Sequence, residues 1–388
     1  MVVIVDLLII LNSPFLRAAP QLSVSLSLPL FPPTPTLNPG VCGSDVHTIT
    51  GGWGELGSGW VCPGHEIVGK VTHVGDEVTE FKVGQRVGVG AQVYSCLKCD
   101  RCKNNNENYC PEMVDTYNAK FPDGVETQGG YSTTIRTHDQ YVFAIPDALK
   151  SEDAAPMLCA GLTVYSPLVR NGTGPGKRVG IVGIGGLGRE FKAPHLPHLP
   201  SSPWAWPSEL HRAPSPATLQ THPLIADFAI QFAKALGAEV VVFSHSANKE
   251  KDARDLGADD FVLTSEKDFA KPLFSTLDYI LSAADAAKLP ISDLVTCLKV
   301  GGQFTSVGLP DGNWEDLHPM KLMGSAAAVG ATHIGSKKEA YDMLDLAAKK
   351  GVAPIIDEVL PMSQAAKAIE AVKNNTVRYR YVLRNDLD

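Results

Sequence analysis

Four cysteines crowd the stretch YSCLKCDRCKNNNENYC: Cys96, Cys99, Cys102 and Cys110. Four thiolates on one short loop suit a closed tetrahedral zinc site, with no position left for water. Such a site does structural work, fixing a lobe that has few apolar residues of its own. Unligated cysteines are usually buried singly among apolar neighbours, whereas these stand among Lys, Asp, Arg and Asn. A second set is spread along the chain. GVCGSDVH carries Cys42, Ser44, Asp45 and His47, PGHEIVG carries His65 and Glu66, and MLCAGLTVYS carries Cys159 and Thr163. Two thiolates and an imidazole supply three ligands and leave a fourth position open, the arrangement of catalytic zinc. Each fragment alone is a weak signal, since a histidine beside a glutamate is more often an ordinary core or surface pair. The combination is what points to chemistry.

A third constellation is built for phosphate. The apolar strand Val179 to Val182 runs into Gly183, Gly185, Gly186, Leu187 and Gly188, in VGIVGIGGLG. At that spacing a strand turns into a helix whose N-terminus holds a pyrophosphate. The next strand, in GAEVVVFSHSANKEKD, ends in Ser244, His245 and Ser246, with Lys249 close behind. A fold that selects NAD ends this strand in Asp or Glu, which binds the ribose hydroxyls. Here no carboxylate repels a 2′-phosphate, and hydroxyls and an ammonium stand ready to bind one, which favours NADP. The plainer reading is a polar loop with Lys249 in solvent.

Elements must now hold these groups. The glycine turn calls for a helix at once, yet FAIQFAKALGA, the text of a buried amphipathic helix, starts only at Phe228. Residues 189–227 intervene with eight prolines and no helical period, at the one place where backbone N–H groups must converge on the pyrophosphate. They read either as a tolerated excursion or as translated non-coding sequence. The first 39 residues raise the same question. Their apolar start is broken by Asp6, lacks a basic flank and is too short to span a bilayer. The Pro-rich text after it shows no period, and residues 1–39 together are expected to be a divergent, disordered segment without regular structure. The whole chain, at 388 residues, has room for two domains. A net charge of -8 argues against nucleic-acid binding. Eight cysteines in this length are too sparse for a disulfide framework.

GVCGSDVHTI, PGHEIVGKV, KVGQRVGVG, the four-cysteine loop with ENYCP, GGYS, LCAGLTVYSPL, VGIVGIGGLG, LKVGGQF, HIGSKKEA and VRYRYVL follow one another in a recognisable order. In this the chain resembles the zinc-dependent medium-chain alcohol dehydrogenases, and among them the cinnamyl-alcohol-dehydrogenase-like, NADP-dependent group. The resemblance implies an α/β protein. A GroES-like β-rich catalytic domain is expected at 40–158, with its zinc lobe at 94–112. A Rossmann doubly wound parallel-sheet domain is expected at 159–332, and residues 333–388 should return to the catalytic domain.

It further implies Cys42, His65 and Cys159 as ligands of a catalytic zinc, Glu66 as a carboxylate able to join them, and a structural zinc on the other four cysteines. Asp45 would stand behind His65 and fix its tautomer. Ser44 and His47 would relay the alcohol proton, and Trp53 would line the substrate channel. Thr163 would belong to the cofactor site and Arg378 would lie near the pyrophosphate. Without the resemblance Ser44 is a turn hydroxyl, His47 a solvated histidine, Trp53 a loop aromatic and Arg378 a surface charge. The implied reaction is hydride transfer between NADP(H) and primary alcohols or aldehydes, aromatic or medium-chain aliphatic. A cytoplasmic homodimer with no nucleic-acid or membrane partner is expected. The alternative is a member that folds around zinc but is catalytically impaired, because residues 189–227 disrupt its cofactor site.

Overall fold

The structure, a computed structural model, describes residues 2–5, 38–52, 54, 56, 59–183, 223–284, 289–308, 314, 317–374, 376–377 and 379–386. Gly185, Gly186, Leu187 and Gly188, most of the Pro-rich segment, Trp53 and Arg378 lie outside the described residues.

The first half is built on β1 (Val2–Val5), α1 (Gly43–Ile49), β2 (Ile67–Val74), β3 (Arg86–Val89), β4 (Gln92–Tyr94), α2 (Asp100–Lys103), β5 (Val114–Asp115), β6 (Ile135–His138) and β7 (Val142–Ala144). Five of the strands form an antiparallel sheet in the order β6-β1-β2-β3-β7. Along these strands alternate residues turn inward, so that Ile67, Val71, Val87, Val89, Ile135 and Val142 meet Phe81 and Phe121 in one core. β1 corrects the expectation that residues 1–39 carry no regular structure. Val2–Val5 is a run of β-branched residues, and its backbone fills the gap between β2 and β6.

Next comes one continuous helical run: α3 (Ser151–Pro156), a wide π-helical turn at Met157–Gly161, and α4 (Leu162–Arg170). A domain boundary between 158 and 159 therefore falls inside a helix. The second half consists of β8 (Arg178–Val182), α5 (Pro223–Ala235), β9 (Glu239–Ser244), α6 (Glu250–Asp255), β10 (Asp260–Leu263), β11 (Leu277–Ser282), α7 (Ile291–Leu294), β12 (Leu298–Ser306), α8 (Pro319–Met323) and β13 (Ala328–Ala331). Its six strands are parallel and ordered β10-β9-β8-β11-β12-β13. Being covered on both faces, β8, β9 and β11 read as nearly unbroken apolar runs. Strand order reverses between β8 and β11, and in doubly wound sheets the crevice beyond that reversal is where ligands bind.

α5 begins at Pro223, five residues before the expected Phe228. A proline fits the first helical position, where its missing N–H loses no bond. Ala226 and Asp227 are then buried with Phe228, Ala229, Ile230 and Phe232. The interruption is thus shorter at its C-terminal end than the proline count suggested.

α9 (Lys337–Lys350), β14 (Ile356–Pro361), α10 (Ala365–Lys373) and β15 (Arg380–Arg384) complete the chain. The start of α9 is legible as S-x-x-E. Ser336 accepts from the Glu339 N–H, and Glu339 accepts in turn from the Ser336 N–H. The last strand lies against the start of the first half: Val41 N–H donates to Tyr381 and Leu383 N–H to Pro39. Val41, Val46, Leu360, Ile369 and Leu383 share a core there.

Candidate active site

Three separate pieces of chain converge on one buried point. Cys42 caps the N-terminus of α1, His65 and Glu66 lead into β2, and Cys159 lies in the π-helical turn. One ligand atom from each of these four residues falls within 4.8 Å of every other. A π turn breaks the regular ladder and is common where a helix serves a site. His65 Nε2 lies 3.1 Å from Cys159 Sγ, a separation compatible with two donors on one metal ion.

Asp45 organises this cluster from behind. Its Oδ1 takes hydrogen bonds from Gly64 N–H and His65 Nδ1, both at 3.0 Å. Its Oδ2 takes them from Cys42 N–H and the Tyr131 hydroxyl, also at 3.0 Å. Both metal-facing loops thus hang on one carboxylate. His65, tied through Nδ1, presents Nε2 toward the thiols, the tautomer a metal requires. Gly64 has φ of 100°, and a Cβ there would come within 2.6 Å of the Tyr131 ring. Only glycine satisfies both demands. Tyr117 adds a hydroxyl 3.3 Å from His65 Nδ1.

The charges suit a metal. A hydrogen bond from Cys159 holds the Cys42 thiol well below its usual pKa, and the same bond pushes Cys159 up. Burial works to lower His65, but Asp45 and Cys42 together raise it. Two sulfurs and an imidazole form a set that a divalent cation completes by displacing protons. Burial pushes the Glu66 carboxyl up, against the pull of Arg380. The Arg380 guanidinium contacts both Glu66 oxygens. Sequence reading missed Arg380. Its signal was a lone charge at an inward position of the otherwise apolar YRYVL.

Ser44 is half-buried, its Oγ 3.7 Å from Cys42 Sγ. His47 is only 4% exposed, not a solvated histidine, because Gly51 and Gly52 fold back over α1 and Gly52 N–H bonds to its carbonyl.

The other four cysteines also come together. Their sulfurs are separated by 3.4 Å (Cys96–Cys110), 3.5 Å (Cys99–Cys102) and 3.9 Å (Cys96–Cys102 and Cys99–Cys110). A tetrahedron with Zn–S bonds of about 2.3 Å has edges of about 3.8 Å, so the four sulfurs fit zinc. Backbone N–H groups of Lys98 and Cys99 hold Cys96 down at about 6, whereas burial pushes Cys102 and Cys110 up, so the fit to zinc rests on the sulfur geometry. The loop also grips the second half. Glu107 accepts from Lys337 N–H at 2.6 Å, Asn108 donates to the His333 carbonyl at 3.2 Å, and the Tyr109 hydroxyl bonds to Thr332.

At the strand reversal, Gly183 follows β8 with φ of 102°, and a Cβ on it would come within 2.7 Å of Ala284 N. The crevice is therefore bounded closely by backbone, as a dinucleotide turn requires. β9 ends at Ser244, whose Oγ accepts from Ser246 N–H at 3.2 Å. Lys249 faces Asp252 at 4.0 Å. Thr163, buried on α4, accepts from Ile334 N–H at 3.3 Å.

Comparison with known proteins agrees with this geometry. The profile of the alcohol dehydrogenase GroES-like domain matches residues 37–147, and that of the zinc-binding dehydrogenases matches 225–349. NADP-dependent alcohol dehydrogenase 6 of Saccharomyces cerevisiae is 41% identical over 350 residues, 89% of this chain and 86% of that protein. Cinnamyl alcohol dehydrogenase 2 of Arabidopsis thaliana is 39% identical, over 89% of this chain and 81% of the other. Among solved structures, a cinnamyl alcohol dehydrogenase from Sorghum bicolor superposes with a TM-score of 0.76 at 32% identity, covering 98% of this chain and 89% of that one. The chain belongs to the zinc-binding alcohol dehydrogenase family of oxidoreductases, with the cinnamyl alcohol dehydrogenases among its relatives.

Proposed function

We propose that this protein is an NADP(H)-dependent zinc alcohol dehydrogenase that interconverts aldehydes with primary alcohols, aromatic or medium-chain aliphatic. The observation that carries the reading is the convergence of Cys42, His65 and Cys159 on one point, with Asp45 bonded to His65 at 3.0 Å. Those three residues would hold the catalytic metal, and Cys96, Cys99, Cys102 and Cys110 the structural one. Bound by the first three, zinc supplies a Lewis acid that acidifies an alcohol hydroxyl or polarises an aldehyde carbonyl.

The remaining roles belong to the chain. Asp45 keeps His65 oriented and its lone pair directed inward. Ser44, half-buried beside Cys42, takes the alcohol proton, and His47 passes it outward. Arg380 holds Glu66 so that its carboxylate does not sit uncompensated beside two thiolates. Gly183 and Thr163 would belong to the dinucleotide site, as would Gly185, Gly186, Leu187, Gly188 and Arg378 of the sequence reading. Ser244, His245, Ser246 and Lys249 would receive the 2′-phosphate, and Trp53 would be the residue read for the substrate channel. No observation favours the impaired alternative, and the relatives matched over most of the chain include an NADP-dependent alcohol dehydrogenase.

Two coarser points extend the reading. β13 ends its sheet, and Met320, Met323 and Val300, all strongly exposed, lie on neighbouring elements. An unpaired strand edge beside apolar side chains favours a homodimer through that edge. Among the described residues no helix is long and apolar enough to cross a membrane, and thiolate–zinc chemistry suits the cytosol.

The test is direct. Purified protein should carry both zinc ions by elemental analysis and oxidise NADPH, far better than NADH, in the presence of cinnamaldehyde or hexanal. Full metal loading with no turnover of either aldehyde would refute the proposal.

A further inference from the structure

Tyr379 is held in a conformation that bulky residues avoid. Its φ is 81°, in the left-handed region, where strain persists only if the surroundings impose it. Its side chain is nevertheless buried, 3% exposed. Two neighbours of the side chain are Asp252 and Lys249. The Tyr379 hydroxyl donates to Asp252 Oδ2 at 2.6 Å. The same oxygen stands 4.0 Å from Lys249 Nζ, and that ammonium lies 5.9 Å from the centre of the Tyr379 ring.

Of these two donors, the carboxylate oxygen is close to the tyrosine and not to the lysine. A charge-assisted N–H···O bond closes to about 2.7–2.9 Å when nothing opposes it. Here the tyrosine holds the short contact and the lysine stands off at the limit of an ion pair. The difference matters because Lys249 follows Ser244 and Ser246 at the end of β9, the place that reads the ribose in a doubly wound sheet. An ammonium fully engaged by its own neighbouring carboxylate offers less to an incoming phosphate.

We infer that Tyr379 is a positioning residue for cofactor choice. By holding Asp252, it keeps the Lys249 ammonium available to a 2′-phosphate. The inference rests on the reading of this site as one for NADP(H). It assigns to the last segment of the chain a part in discriminating the two dinucleotides, at the adenosine end and away from the metal.

Calorimetric titration of the full chain with adenosine 2′,5′-bisphosphate and with 5′-AMP tests this without any turnover. The native chain should prefer the bisphosphate. Tyr379→Phe, which keeps the ring, should reduce that preference roughly fivefold, the scale of a partly exposed ion pair gained by the competing carboxylate. Asp252→Asn should increase the preference. The double variant should match Asp252→Asn, since without the carboxylate the hydroxyl no longer acts on Lys249 through it. The inference is overturned if Tyr379→Phe weakens both nucleotides alike, leaves both unchanged, or acts equally strongly in the Asp252→Asn background. A native chain with no preference for the bisphosphate overturns the NADP reading itself, and this inference with it.

Discussion

Arg380 is the residue on which most electrostatics converge. It is 1% exposed, touches both oxygens of a fully buried Glu66, and lies in the field of a second buried carboxyl, Asp227. Removing one partner of such a pair leaves a charge with neither water nor counterion. Arg380→Met should therefore cost about 3–5 kcal/mol of unfolding free energy. Adding Glu66→Gln to it should recover part of that loss, and urea denaturation of the four-member cycle measures the coupling. Additive losses would mean that the contact contributes only packing. The four-cysteine cluster was legible as a candidate metal site from its spacing, whereas Cys42, His65 and Cys159, each weak alone, were legible only in combination. Arg380 was not legible, since an arginine is exposed by default and its partner is 314 positions away. The burial of His47 was not legible for a related reason: nothing in a local pattern tells that a later glycine pair will fold over it.

Elements carry the two metal sites differently. The four-cysteine loop has only short pieces of regular structure, α2 and a single 3-10 turn at Glu107–Tyr109, so the metal replaces a core there. The other site hangs on preformed structure, from α1, β2 and the π turn. Cys99→Ser should therefore lower stability sharply or abolish folding, whereas Cys42→Ser should yield a folded chain lacking one zinc and inactive. Elemental analysis with thermal melts separates the cases, and a well-folded Cys99→Ser chain with normal melting would contradict this view. Of the elements, β8 and β9 were legible from their apolar runs and α5 from its amphipathic text. α5 was read five residues short because Pro223 closes a Pro-rich stretch and was counted with it rather than as a helix start. β1 was lost because four apolar residues have no period to read, and their pairing partners lie far along the chain.

At the scale of the molecule, the open matter is the segment beyond Gly183. Suppose residues 189–227 are replaced by a single His, so that Gly188 leads into Phe228 and the turn joins its helix directly. The shortened chain should bind NADPH at least about tenfold more tightly, some 1.4 kcal/mol, because no binding energy goes into holding a long loop aside. Fluorescence titration of both chains decides it, and equal affinities would mark the segment as a harmless excursion. The two-half plan was legible through the motif order. The return of β15 to Pro39–Val41 was not legible from residues, since nothing local encodes a contact between the two ends of a chain. The grip of Glu107, Asn108 and Tyr109 on Thr332, His333 and Lys337 has a mechanical reading. Thr332–Ser336 is the strap by which the sheet of β8–β13 is joined to α9, and the four-thiolate loop is the bracket to which that strap is bolted. A force that parts the halves at this end must run through the bracket. Thr163, which holds Ile334 of the same strap, would feel any slack in those bolts before the distant ligands of the other site did.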